Sequence, residues 1–218
     1  MISITLRDCN NLSDQTLKLI SQNCFDLESL HIHGSINSSC NSIQLPILLQ
    51  CCSKIQALSL TKQYKSKNII IAISNYCKNL KYLNLSLSCS LSDDEVIKII
   101  EQCTELSSLN LYGCYHITNN SLIKISQYCT NLKSLDISYC SYLKEQHLLD
   151  FIHRNCTTLK EFKFLGTVYK MRRLRIAWLY HMTICFYTIL IQCEMCQFLF
   201  LGIRTTNENY LKLLNFIK

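Results

Sequence analysis

One spacing recurs along most of this chain and constrains what it can fold into. Within residues 103–129 the apolar positions are Cys103, Leu106, Leu109, Leu111, Cys114, Ile117, Leu122 and Ile125, and Cys129 then opens the pattern again after 26 residues. Leu109-x-Leu111 alternates with period two, as a short strand with one buried face requires. Leu122, Ile125 and Cys129 are spaced three and then four, so they share one face of a helix. Each unit therefore reads as strand, turn and helix. A unit of this size cannot bury its apolar face alone, and a fixed period of such units stacks into a solenoid.

The same two signatures recur in the other units. The helical triplets are Leu17/Ile20/Cys24, Leu45/Leu48/Cys52, Ile70/Ile73/Cys77, Val96/Ile99/Cys103, Leu122/Ile125/Cys129 and Leu149/Ile152/Cys156. The strands are Ile4-x-Leu6, Leu30-x-Ile32, Leu58-x-Leu60, Leu83-x-Leu85, Leu109-x-Leu111, Leu135-x-Ile137 and Phe162-x-Phe164. Unit length varies only between strand and helix, where a solenoid absorbs insertions in loops. The expected fold class is α/β: a leucine-rich-repeat solenoid curved into a horseshoe. It would carry parallel strands on the concave side and helices on the convex side, over about six repeats in residues 1–166.

Cysteine closes the strand turn at Cys9, Cys114 and Cys140, and stands before the strands at Cys24, Cys52, Cys77, Cys103, Cys129 and Cys156. This pattern, over residues 1–166, resembles the cysteine-containing leucine-rich repeat. That repeat is best known from the F-box/leucine-rich-repeat family, the substrate receptors of SCF-type ubiquitin ligases. The resemblance implies a protein target held on the concave face and a role in ubiquitin-dependent protein catabolism. It also implies contact with a ligase adaptor through an F-box, a helical module that would precede the repeats and is not found in this sequence. The alternative is a leucine-rich-repeat binding scaffold outside the ubiquitin system, tethered to a membrane by its tail.

Fifteen cysteines in a short secreted chain would suggest a disulfide framework. Here most recur at the repeat period, and the N-terminus lacks the apolar run of a signal peptide. Cysteine used as a small buried hydrophobe fits the reducing cytoplasm or nucleus, where the sequons at Asn11 and Asn155 would carry no sugar. One Pro, four Gly and 49% hydrophobic residues exclude a disordered chain. The net charge of +7 is unevenly placed, with +2 in residues 1–166 and +5 in residues 167–218. A nearly neutral repeat region does not suit a phosphate-driven nucleic-acid binder, so no nucleic-acid partner is expected.

The first unit begins at its strand without a preceding helix, and a solenoid end exposes a core face and a strand edge. An upstream module or a partner is expected to cover it. Ser13 and Asp14 suit a helix N-cap, and Ser92 with Glu95 has capping-box spacing. Pro46 is expected at the start of the second helix, where its missing N–H does no harm. Ser35 and Gln63 stand where a strand-closing Cys is expected, and Cys89 is displaced by one position.

After Phe164 the period stops. A basic run at 170–175 leads into 176–203, a segment that is apolar or aromatic apart from His181, Gln192, Glu194 and Gln197. Three readings of residues 167–218 stand side by side: a helical cap docked on the last repeat, a membrane anchor through 176–203, and a non-native end. Residues 176–193 carry no formal charge and are long enough for a marginal span, and the preceding basic residues would hold the repeats on the cytoplasmic side. Glu194 opposes that reading.

Nothing along the chain forms a catalytic constellation. Cys193 and Cys196 make a lone C-x-x-C without the second pair or His partner that zinc or redox chemistry needs. Cys51 merely adjoins Cys52, and cysteines recurring in every unit are structural, since a nucleophile is singular. His31 and His33 share one face of a strand but lack further metal ligands nearby. No enzyme activity, cofactor or metal is expected. What remains is the concave surface. Its central row is Thr5, His31, Ser59, Asn84, Asn110, Asp136 and Lys163, flanked on one side by Arg7, His33, Thr61, Ser86, Tyr112 and Ser138. On the other side run Ser29, Ala57, Tyr82, Ser108, Ser134 and Glu161. A partner is expected to meet His31, His33, Tyr82, Asn84, Asn110, Tyr112, Asp136 and Lys163, with Tyr82 and Tyr112 as amphipathic anchors. Tyr115, Tyr139 and Tyr142 gather near the turns that follow the last strands.

Overall fold

A computed structural model describes residues 2–7, 12–33, 40–61, 67–155 and 157–164, with the backbone alone for 40–42, 145, 149 and 153. The expectations for residues 167–218, for the lone C-x-x-C, and for Ser35, Gln63, Cys9 and Cys156 lie outside the described residues. Seven strands alternate with six helices: β1 (Ile2–Arg7), α1 (Asp14–Asn23), β2 (Leu27–His33), α2 (Cys40–Cys51), β3 (Ala57–Thr61) and α3 (Lys67–Tyr76) come first. They are followed by β4 (Tyr82–Asn84), α4 (Asp93–Ile100), β5 (Ser108–Asn110), α5 (Asn119–Tyr128), β6 (Ser134–Asp136), α6 (Glu145–Asn155) and β7 (Glu161–Lys163). All strands join one parallel sheet in sequence order, β1 to β7, and each helix packs on the next along the other layer. This is the leucine-rich-repeat solenoid that the period demands.

Each unit closes on its cysteine for a local reason. The N–H groups of Cys24, Cys52, Cys77, Cys103 and Cys129 donate to the residue four back and end their helices. Their carbonyls then accept from Leu27, Ile55, Leu80, Leu106 and Leu132 three residues on. One residue thus ends the helix and starts the turn into the next strand. Its side chain faces inward at the narrow junction between layers, where a small apolar group fits. The thiols of Cys52 and Cys103 lie 3.3 and 3.4 Å from the carbonyls of Cys24 and Cys77, so the column also bonds between units. A second column follows the strands, where the thiols of Cys114 and Cys140 each sit 3.3 Å from the carbonyls of Leu85 and Leu111.

Strand length falls from five to seven residues in β1–β3 to three in β4–β7. In β4–β6 the cause is a single position. Asn84, Asn110 and Asp136 each accept the N–H two residues on, at Ser86, Tyr112 and Ser138, all at 2.9 Å. This side-chain turn bends the backbone out of the extended state. The matching residues Thr5, His31 and Ser59 have no carboxamide or carboxylate, and their strands run on to Arg7, His33 and Thr61. Past the bend, Leu87, Gly113 and Tyr139 are spaced by the repeat and take positive φ of 61°, 67° and 62°. A Cβ on Gly113 would meet Leu87 Cδ2 at 2.8 Å, so this position combines the left-handed turn with a close approach between units.

The helix N-termini are tied across units. Ser13 accepts the Thr16 N–H, and Ser92 donates its N–H and hydroxyl to Glu95. Asp93 accepts from the N–H and hydroxyl of Thr118 and from the Ser121 hydroxyl, one unit later. Asn119, at the matching position, accepts the Lys144 N–H of the unit after that. Pro46 departs from expectation: it is the seventh residue of α2, inside the helix and not at its start. The helix begins earlier than the apolar triplet implies, and the carbonyl four residues before Pro46 loses its usual N–H partner.

Candidate functional site

The sheet register places the central row as the sequence implies. His31 aligns with Thr5 and Ser59, Asn84 with Ser59 and Asn110, and Asp136 with Asn110 and Lys163. Leu30, Leu58, Leu83, Leu109, Leu135 and Phe162 point the other way into the core. The face is less open than simple alternation suggests. Ser29, Ser59, Asn84, Ser86 and Ser138 are buried, because larger neighbours in the rows lean over them.

The eight candidate residues divide into three groups. At the N-terminal end the His31 and His33 rings stack with centroids 6.1 Å apart and planes 8° from parallel. His31 Nε2 lies 2.8 Å from the Ser29 hydroxyl, and His33 Nδ1 lies 3.2 Å from the Thr61 hydroxyl. Tyr82, two strands away, reaches back to within 6.2 Å of the His31 ring. On β3, in register with His31, Ser59 is fully buried with a hydroxyl that has no hydrogen-bond partner among the described residues. Burial, and then the electrostatic influence of neighbouring His33 and Arg7, hold the His31 pKa below its ordinary value.

In the middle, Asn84, Asn110 and Asp136 each commit one oxygen to their own backbone turn. Asn84 also donates to the Tyr82 hydroxyl at the long distance of 3.5 Å. Tyr112 packs edge-on against Tyr139 at 5.2 Å, and Tyr115 and Tyr142 stand exposed in the neighbouring turns. At the C-terminal end Lys163 forms an ion pair with Glu161 at 2.7 Å, and Glu161 also accepts from the Ser134 hydroxyl at 2.8 Å. Those two hydrogen bonds lower the Glu161 pKa, and the Lys163 pKa is raised by the same partner.

Ser59 and Glu161 stand in the concave rows and Tyr139 in the tyrosine cluster read from the sequence, but none of the three is among the eight residues expected to meet a partner. Ser59 could have been found from its place between His31 and Asn84 in the central row. Tyr139 shares a repeat position with Gly113, the one signal that something unusual happens there. Among the described residues, no group of three His, Cys, Asp or Glu side chains could hold a metal, and no helix is long and apolar enough to cross a membrane.

No protein-family model and no curated protein matches the chain. Among solved structures, the chain is similar to one in the crystal structure of the Rad7 and Elc1 complex in yeast. The TM-score is 0.63 at 15% sequence identity, and the match covers 76% of this chain and 43% of that one. This chain therefore matches less than half the length of that neighbour. At this identity the likeness is one of fold, a row of parallel strands backed by helices.

Proposed function

We propose that this chain is a protein-recognition module whose concave strands hold a partner, and that its work is substrate recognition for an SCF-type ubiquitin ligase in the cytoplasm or nucleus. The observation that carries the reading is the concave face. It presents small polar side chains from seven strands, several of them buried, with Tyr112 exposed and Tyr82 half-buried among them. Amphipathic aromatics on a polar floor are the residues from which interface hot spots are made. The floor's His, Asp and Lys groups are tied to hydroxyls, to backbone or to each other. The cysteine-containing repeat supports the ubiquitin assignment, and fold likeness to a chain crystallised in a protein complex supports the recognition role. The associated ligase would supply the chemistry, with an adaptor bound through a module outside the repeats.

The test is capture of partners on wild-type chain and on Tyr82→Ala, Asn110→Ala and Tyr112→Ala, with quantitative mass spectrometry. Loss of an aromatic anchor is expected to weaken binding by about 2 kcal/mol, roughly 30-fold. Equal recovery by all four proteins defeats the concave assignment. A captured partner whose cellular half-life and ubiquitylation do not change when this chain is removed defeats the ubiquitin assignment alone.

A further inference from the structure

The concave face is electrostatically polarised along the solenoid axis. The rows of β1–β5 contain Ser3, Thr5, Arg7, Ser29, His31, His33, Ala57, Ser59, Thr61, Tyr82, Asn84, Ser86, Ser108, Asn110 and Tyr112, with no acidic residue. In these rows the acidic side chains are Asp136 and Glu161, on β6 and β7, where Lys163 is ion-paired to Glu161 and leaves one net negative charge. Arg7 sits beside His33 in register, and His33 stacks on His31. One permanent cation and two imidazoles thus share the β1–β2 end of the face. The Ser59 hydroxyl, fully buried and unpartnered, lies in the same row.

We infer that the β1–β3 end of the concave face binds a cluster of Asp or Glu side chains in an extended segment of a protein partner, whose remainder runs toward β6 and β7. The inference rests on the protein-recognition reading above and specifies the partner's chemistry. Arg7 supplies a planar fork that matches a carboxylate, and the imidazoles add charge on protonation. The opposite direction of binding is disfavoured, because Asp136 would then face the partner's acids while Lys163 is already engaged by Glu161. Seven strands at about 4.8 Å spacing span roughly 29 Å, which accommodates an extended segment of about nine residues.

The pH dependence follows from what faces the imidazoles. β1 contributes Arg7, β2 contributes the other histidine, β3 contributes only the neutral Ala57, Ser59 and Thr61, and β4 contributes Tyr82. Without ligand these surroundings disfavour the charged His31. A bound carboxylate favours it, so binding takes up protons and tightens as pH falls from 8 to 6, above the range where the partner's own carboxyls protonate.

The experiment selects a random twelve-residue displayed peptide library on the full chain, then measures the best binder and its Glu→Gln, Asp→Asn counterpart by fluorescence anisotropy at pH 6.0 and 8.0. Expected are enrichment of Asp and Glu, binding weaker by roughly tenfold in the neutralised peptide, and tighter binding at pH 6.0. Arg7→Gln and His33→Gln should each weaken the acidic peptide and leave the neutralised one unchanged. Lys54→Gln, a cation off the concave rows, should change neither. Peptides without acidic enrichment whose binding depends on Tyr82 and Tyr112 would overturn this inference while leaving concave recognition standing. Acidic peptides insensitive to Arg7→Gln, His33→Gln and pH would overturn it as well.

Discussion

Ser88 occupies the position that Cys114 and Cys140 occupy in the next two units, and it is the one such residue whose inward group is unsatisfied. It is 1% exposed, and its hydroxyl has no hydrogen-bond partner among the described residues. The thiols at the matching positions each contact a carbonyl of the preceding unit at 3.3 Å. At Ser88 a polar group is buried without compensation among the described residues. An unsatisfied buried hydroxyl costs about 1–3 kcal/mol, whereas a thiol behaves as a small hydrophobe with a weak donor. Sulfur is larger than oxygen, and local overpacking could return roughly 1 kcal/mol of that gain. Ser88→Cys should therefore stabilise the repeats by up to about 2 kcal/mol, raising the thermal midpoint by up to roughly 8 °C. Ser88→Ala removes the hydroxyl but leaves a void, and should gain less. Urea unfolding followed by circular dichroism, with reductant present to keep exposed Cys89 from pairing with the new thiol, measures all three proteins. A Ser88→Cys midpoint at or below that of wild type refutes the argument, because the site would then already satisfy its hydroxyl.

Three further outcomes test the same structure. Asp93→Ala strands the Thr118 N–H and the hydroxyls of Thr118 and Ser121, and should cost about 2–4 kcal/mol in urea unfolding, with Asp93→Asn intermediate. Cys103→Ala should cost about 1–3 kcal/mol, and thiol labelling without denaturant should modify exposed Cys89 quickly while sparing Cys77, Cys103, Cys114, Cys129 and Cys140. Rapid modification of that buried set would show that these cysteines are not packing groups. Stability should fall at alkaline pH: burial raises Cys52 and Cys103 to about 11 and Cys77, Cys114 and Cys129 to about 12. Unfolded thiols ionise near about 8.5, so the contribution is intact below that pH and is lost progressively toward 11–12. A urea midpoint equal at pH 8 and pH 10.5 would refute it.

The period itself made the architecture legible. Every strand leucine and every helix-ending cysteine is set by a spacing that repeats, and spacing is visible without coordinates. Register followed from the same regularity, which is why the central row from Thr5 to Lys163 could be written down residue by residue. What the period cannot carry is any interaction between side chains at unlike positions. The approach of His31 to Tyr82 across β3 depends on two ring rotamers. The Lys163–Glu161 pair depends on two side chains of one strand leaning together. Pro46 shows the complementary failure: a local rule about helix starts gave way because residues before the apolar triplet were already helical.

Asn84, Asn110 and Asp136 show why a repeated polar residue is ambiguous even when its position is known. From sequence they look like a line of binding groups, since a strand residue beside a core leucine faces outward. In the structure each also ends its own strand by holding the N–H two residues on. A recurrence at the repeat period is what a structural device produces, because every unit must turn at the same place. A binding determinant for one partner has no reason to recur. By that reasoning the more informative positions are those where the row breaks its habit: His31 and Ser59 in place of an Asx residue, His33 beside them, and Lys163 at the far end. These are the residues that no backbone turn explains, and three of them lie at the end of the face where Arg7 stands beside His33.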